Sequence, residues 1–305
     1  MFPIIPATSA TDSANQEGIF GYGHTSLSFV SNLVSDTGVC ASDVAGVGTA
    51  RTTPAGCEYG SDTGIFGFGQ AAAPTGYTSL SNLVSNAGVI ATDTAGVGTA
   101  RAFAGGCSYG GDKGIFGFGW DGSNYSLSNL VSNAGVVATD TAGVGTARRE
   151  IAACEYGEDK GIFGFGNTGS VTAVTNLVSN AGVVATDQAT VTGTARLGVA
   201  ACKYGDDKGI FGFGWTPSGN TYMDMSNLVS NAGVVATDTA GVGSVRMMTA
   251  GTQYGGDKGI FAYGDGGPGV SWASFSNLVS DVGVISTDVA GVGTARGYLA
   301  ACSFN

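Results

Sequence analysis

The chain has 305 residues, 54 of them glycine and only 35 of them charged, with 23 acidic against 12 basic side chains. Glycine at about 18% is more than twice the usual share, yet it does not recur at every third position and only 6 prolines accompany it, which excludes collagen, while 43% apolar content excludes simple disorder. A net charge of -11 repels phosphate backbones and disfavours nucleic acid, no apolar run reaches the ~18 residues of a membrane span, and the single histidine, His24, excludes a multi-histidine metal site.

The chain opens Met1-Phe2-Pro3-Ile4-Ile5-Pro6, with two prolines and no basic residue. That is not the pattern of a Sec-type signal peptide. Residues 1–17 are expected to form an N-terminal arm ahead of one folded region over 18–305.

From there the sequence repeats. Gly-Ile-Phe starts at 18, 64, 114, 161, 209 and 259, at spacings of 46, 50, 47, 48 and 50 residues. Six units therefore carry one register. It includes Asn32, Asn82, Asn129, Asn176, Asn227 and Asn277, and 11 residues later Asp43, Asp93, Asp140, Asp187, Asp238 and Asp288. Eight residues further on, or nine in the fourth unit, stand Arg51, Arg101, Arg148, Arg196, Arg246 and Arg296. Six residues after each Arg comes Cys57, Cys107, Cys154, Cys202, Thr252 or Cys302. Almost all length variation falls between the Gly-Phe-Gly segment and the Asn, so one loop per unit is free to vary.

Within a unit the elements follow from residue type. A short run of small and aromatic residues, such as Ala152-Ala153-Cys154-Glu155-Tyr156, reads as strand one. Gly-Ile-Phe-Gly-Phe-Gly (161–166) reads as strand two, with glycine where a neighbouring backbone comes close. Segments 126–132 and 136–140 flank Asn133-Ala134-Gly135, a hairpin-type turn, and read as strands three and four. No stretch of 12 residues has a 3.6-residue period, so helices are not expected.

Four short antiparallel strands every 40–50 residues or so predict an all-β, six-bladed propeller. A β-solenoid is the competing architecture. The termini separate the two, because the chain starts at strand two and ends just after a strand one at 299–304. That last strand can complete the first blade and close the ring, whereas a solenoid needs capping units.

The candidate chemistry is sparse. A functional reading of the six arginines is a sialidase-like cluster in the central pocket, but a catalytic site breaks symmetry and these arginines repeat six times. The Arg and Asp positions are therefore expected to be structural links between units. Five of the six cysteines share one register, with Thr252 in the sixth unit and Cys40 an extra core thiol, so they read as small, reduced, buried residues rather than disulfides or metal ligands. The pairs Asp112-Lys113, Asp159-Lys160, Asp207-Lys208 and Asp257-Lys258 read as turn residues ahead of strand two. Neither a nucleophile–His pair nor a converging set of calcium-ligating acids is legible, so no enzyme activity, cofactor or metal is expected. The loops 70–78, 120–125, 167–171, 215–224 and 265–273 differ in sequence. They hold Trp120, Trp215 and Trp272 with Tyr77, Tyr125 and Tyr222, residues suited to carbohydrate stacking or protein docking.

The order Arg, short strand, apolar strand ending in glycines, variable loop and Ser-Asn strand resembles the kelch motif, as in Arg148, Ala152-Ala153-Cys154, Ile162-Phe163-Gly164-Phe165-Gly166, Thr175-Asn176-Leu177-Val178, Asp187 and Arg196. The phrase Asn-Leu-Val-Ser-Asn-x-Gly-Val-Val-Ala-Thr-Asp-Thr-Ala-Gly-Val-Gly-Thr-Ala-Arg resembles virion-associated repeat proteins of tailed bacteriophages. That resemblance implies a non-enzymatic virion protein: a capsid decoration, head–tail or tail-appendage subunit, assembled in the host cytoplasm and then extracellular. Its expected partners are other virion proteins, met through the N-terminal arm and the blade faces. The alternative is a glycan-binding adhesin that meets a host surface glycan with the tryptophan loops.

Overall fold

The structure is a computed structural model, which describes residues 17–24, 29–72, 76–188, 192–267, 269 and 272–304. The expected arm falls almost wholly outside the described residues. Glu17, the first described, already belongs to a strand.

Seven small antiparallel sheets make up the fold, and no α-helix occurs among the described residues. The first sheet joins β1 (Glu17–Gly21) and β2 (Ser31–Val34) to the last strand, β20 (Ala300–Phe304). A minor sheet pairs β3 (Arg51–Thr52) with β6 (Gln70–Ala71). The second three-stranded sheet is β4 (Ala55–Tyr59), β5 (Thr63–Gly67) and β7 (Ser81–Val84). The third is β8 (Gly105–Tyr109), β9 (Lys113–Trp120) and β10 (Asn124–Val131). The fourth is β11 (Ala152–Tyr156), β12 (Lys160–Gly164) and β13 (Thr175–Val178). The fifth is β14 (Ala200–Tyr204), β15 (Lys208–Thr216) and β16 (Thr221–Val229). The sixth is β17 (Ala250–Tyr254), β18 (Lys258–Asp265) and β19 (Trp272–Val279).

Each repeat thus folds into one sheet of three strands, not the four expected. The segment after the Ser-Asn-Ala-Gly turn touches its neighbour only at isolated bridges, such as Val131 to Val137 and Ser128 to Thr141. The reason is the invariant Asn. In the third unit Asn129 Nδ2 donates to the carbonyl of Ala138 at 3.0 Å and to Asp140 Oδ1 at 2.8 Å. A side chain takes the place of a ladder bond, and the fourth segment remains irregular.

The first strands of successive sheets lie against one another: β4 on β8, β8 on β11, β11 on β14, β14 on β17, β17 on β20, and β20 on β4. The last strand also completes the first sheet, with Gly18 opposite Ser303 and Gly21 opposite Ala300. Strand two of each unit buries its Ile-Phe pair, and Ile19, Phe20, Ile65, Phe66, Ile115 and Phe116 are fully buried.

The cysteines explain the glycine that opens each Gly-Ile-Phe. A Cβ on Gly161 would stand 2.6 Å from Cys107 Sγ, and one on Gly209 would stand 2.5 Å from Cys154 Sγ. The same contact joins Cys302 to Gly64, and Thr252 fills the role against Gly18. All six cysteines are free thiols.

Candidate functional site

The six repeated arginines are fully buried and tie neighbouring units together. Arg101 shows the pattern. Its guanidinium lies 4.1 Å over the Phe68 ring of the preceding sheet. Its Nε donates to the carbonyl of Phe118 at 2.6 Å, and its Nη2 to Asn129 Oδ1 at 2.7 Å, both in the following sheet. Phe118 has φ 62°, and the ladder register shifts around it, so this bulge turns its carbonyl out of the sheet towards the arginine. Tyr22, Phe68, Phe165, Phe213 and Tyr263 share that left-handed conformation, each in its own unit.

The repeated aspartates form the second link. Asp140 Oδ2 accepts from the Thr99 N–H at 3.0 Å and from the Thr99 hydroxyl at 2.6 Å. Gly98 makes room for this with φ 80°, where any Cβ would collide with Asp140 and Asn129. Equivalent clamps join Thr49 to Asp93, Thr146 to Asp187, Thr194 to Asp238, Ser244 to Asp288, and Thr294 to Asp43. Burial pushes the Asp140 carboxyl up, but hydrogen bonds from Thr99 and Asn129 and the Arg101 charge outweigh it and hold the group below the usual range.

The aromatic residues of the variable loops fall into a belt, a separate pair and Tyr125 alone. In three units these loops are extended hairpins: Trp120 pairs with Asn124, Trp215 with Tyr222, and Trp272 with Asp265. Trp120 meets Tyr77 edge-on at 5.5 Å and Phe103 at 6.4 Å. Phe103 meets Tyr298 at 6.3 Å, and Tyr298 meets Trp272 at 5.8 Å and His24 at 6.2 Å. These rings form one belt. Trp215 and Tyr222 form a separate pair 6.5 Å apart, with Trp215 Nε1 donating to Asn220. Tyr125 makes no ring contact that joins it to the belt. Its hydroxyl donates to Asp121 at 2.8 Å.

Phe103 and Tyr298 belong to a set that sequence reasoning missed. Two residues after each repeated Arg stand Thr53, Phe103, Glu150, Gly198, Met248 and Tyr298, all with φ between 52° and 63°. They form a collar of backbone hydrogen bonds. Thr53 N–H donates to the Tyr298 carbonyl at 2.7 Å, Phe103 to Thr53, Glu150 to Phe103, Met248 to Gly198, and Tyr298 to Met248. The collar side chains surround a cavity of about 70 Å³. The signal was present in the aligned units, where this position carries a different residue in every repeat.

A second variable position follows each repeated Cys or Thr: Glu58, Ser108, Glu155, Lys203, Gln253 and Ser303. These residues, from all six first strands, line a cavity of about 60 Å³. Ser303 donates to Glu58 at 2.8 Å and Lys203 to Glu155 at 3.0 Å. Burial pushes the Glu58 carboxyl up to about 7, against the Ser303 hydrogen bond and with help from Glu155. Burial also raises Glu155, partly offset by Lys203.

Among the described residues no three His, Cys, Asp or Glu side chains converge as metal ligands, and no helix is long and apolar enough to cross a membrane. No family model matches the chain, and no curated protein is similar to it.

Proposed function

We propose that the six sheets are the blades of a β-propeller closed by β20 on β1, and that the protein is a non-enzymatic docking subunit of a virion. The fold part rests on the cycle of first-strand contacts and on clamps that link residues as distant as Thr294 and Asp43. The functional part rests on one observation. The repeated Arg and Asn side chains are fully buried in links between units, whereas the half-exposed aromatic side chains that do not repeat, Tyr77, Trp120, Phe103, Tyr298 and Trp272, join in one belt. A surface of that kind suits recognition by shape and stacking. The virion setting follows from the resemblance of the repeated phrase.

Mass spectrometry of purified particles should find the chain at fixed stoichiometry, and the triple variant Trp120→Ala, Trp215→Ala, Trp272→Ala should fold but fail to incorporate. Normal incorporation of that variant would remove the aromatic belt from the reading. A host-glycan adhesin is the second reading, favoured by the Asp121 carboxylate held beside Trp120 by Tyr125. Glycan-array signal that disappears in the same variant would select it.

A further inference from the structure

We propose that the collar cavity is a receptor for an organic cation, an ammonium or guanidinium head carried on an aliphatic stem. This rests on the docking reading of that face and names the chemistry it accepts. Three observations carry it.

The first is the shape of the walls. Phe103 and Tyr298 stand 6.3 Å apart at 75° to one another, two aromatic walls of a cup of about 70 Å³. Met248 and the aliphatic residues Ile151, Val199 and Leu299 also line it. The negative faces of aromatic rings attract a cation strongly once water is excluded.

The second is charge. Glu150 is the only charged residue that lines the cup, and its side chain is 13% exposed. Thr249, in the same lining, has a buried hydroxyl with no hydrogen-bond partner.

The third is that the chain's own cations are committed. All seven arginines lie over aromatic rings: Arg51, Arg101, Arg148, Arg196, Arg246 and Arg296 between units, and Arg149 over Trp120. All five lysines pair with carboxylates. Among the described residues no cation lies over Phe103 or Tyr298, and Glu150 pairs only with its neighbour Arg149 at 3.2 Å. A chain of net charge -11 attracts an external cation to this position.

The non-glycine collar residues hold left-handed backbone, a conformation that costs energy and is kept where the surroundings dictate it. Here it points five different side chains at one axis.

The probes are choline, its uncharged isostere 3,3-dimethylbutan-1-ol, and N-acetyl-lysine methylamide, each titrated into the intact protein by ligand-observed NMR. At least one charged probe should bind saturably, at least tenfold more tightly than the alcohol, and Glu150→Gln and Phe103→Leu should each weaken it about tenfold with the melting temperature retained. Choline alone assigns a free quaternary ammonium, and the lysine amide assigns a partner's side chain. Binding of the tighter charged probe no better than that of the alcohol, no binding of either charged probe, or an unchanged affinity in Glu150→Gln overturns the cup. Particle incorporation of Glu150→Gln, read separately, keeps this outcome distinct from failure of the docking reading.

Discussion

At the scale of single residues, stability is concentrated in links that cross from one unit to the next. Arg101 donates to the Thr99, Phe118 and Asn129 oxygens and covers the Phe68 ring, all without exposure to water. Arg101→Ala leaves Asn129 Oδ1 and the Phe118 carbonyl without their donor, at a cost of about 1–3 kcal/mol for each buried oxygen. Arg101→Lys should recover little of it, because an ammonium cannot reproduce the planar fork. Thermal denaturation of the two variants checks both statements, and parent-like melting in either one would contradict them. These links were legible because Arg, Asn and Asp recur at constant spacing. The collar was not, because a position that differs in every unit looks like noise until the backbone shows all six members in one ring.

Titration at this scale has two opposing parts. The repeated aspartates have lowered folded pKa values, since their hydrogen bonds and arginines outweigh burial. Their stabilisation is fully present above the unfolded value of about 3.9 and is lost as pH falls below it. Glu58 runs the other way. Its folded value near 7 means that ionisation is resisted, so a penalty on the order of 3 kcal/mol develops as pH rises from about 4.5 to 7. Melting temperature should therefore be higher at pH 5 than at pH 7.5, and Glu58→Gln should narrow that gap. An equal gap in the variant would place the pH dependence elsewhere.

At the scale of elements, the Gly-Ile-Phe strand works because its glycine lets the preceding unit's thiol sit on its backbone. Gly161→Ala would place a Cβ 2.6 Å from Cys107 Sγ and 3.3 Å from the Ser108 carbonyl, an overpacking that costs about 1–3 kcal/mol. Cys107→Ala removes the obstructing sulfur. The double variant should be more stable than the sum of the two losses by about 1 kcal/mol, measured by chemical denaturation in a double-mutant cycle. Simple additivity would mean that the two residues do not share the contact. Strands one, two and three were legible from small-residue, apolar and Ser-Asn runs. The fourth was misjudged because the segment 136–140 follows a hairpin-type turn, whereas the Asn129 side chain takes the place of a ladder bond.

At the scale of the whole molecule, the last five strand residues have a role out of proportion to their number. β20 pairs along its length with β1, buries Cys302 against Gly64, and fully buries Phe304. Burying one such aromatic contributes about 1.5–3 kcal/mol, and a domain's net stability is only about 5–15 kcal/mol. Removing residues 299–305 should therefore do more than fray an end, because it strips the first sheet of its inner strand and breaks the cycle of contacts at two points, β17 on β20 and β20 on β4. A stack of units that touch only their sequence neighbours would lose one terminal unit and keep the rest folded. A closed ring should instead lose protection throughout. Hydrogen exchange on the truncated chain discriminates, since loss confined to residues 17–34 and their immediate neighbours would argue for a linear stack. A synthetic peptide of residues 297–305 added to the truncated chain should restore protection in all six sheets together, because the strand that the truncated chain lacks needs no covalent link to supply its ladder, its thiol and its aromatic side chain.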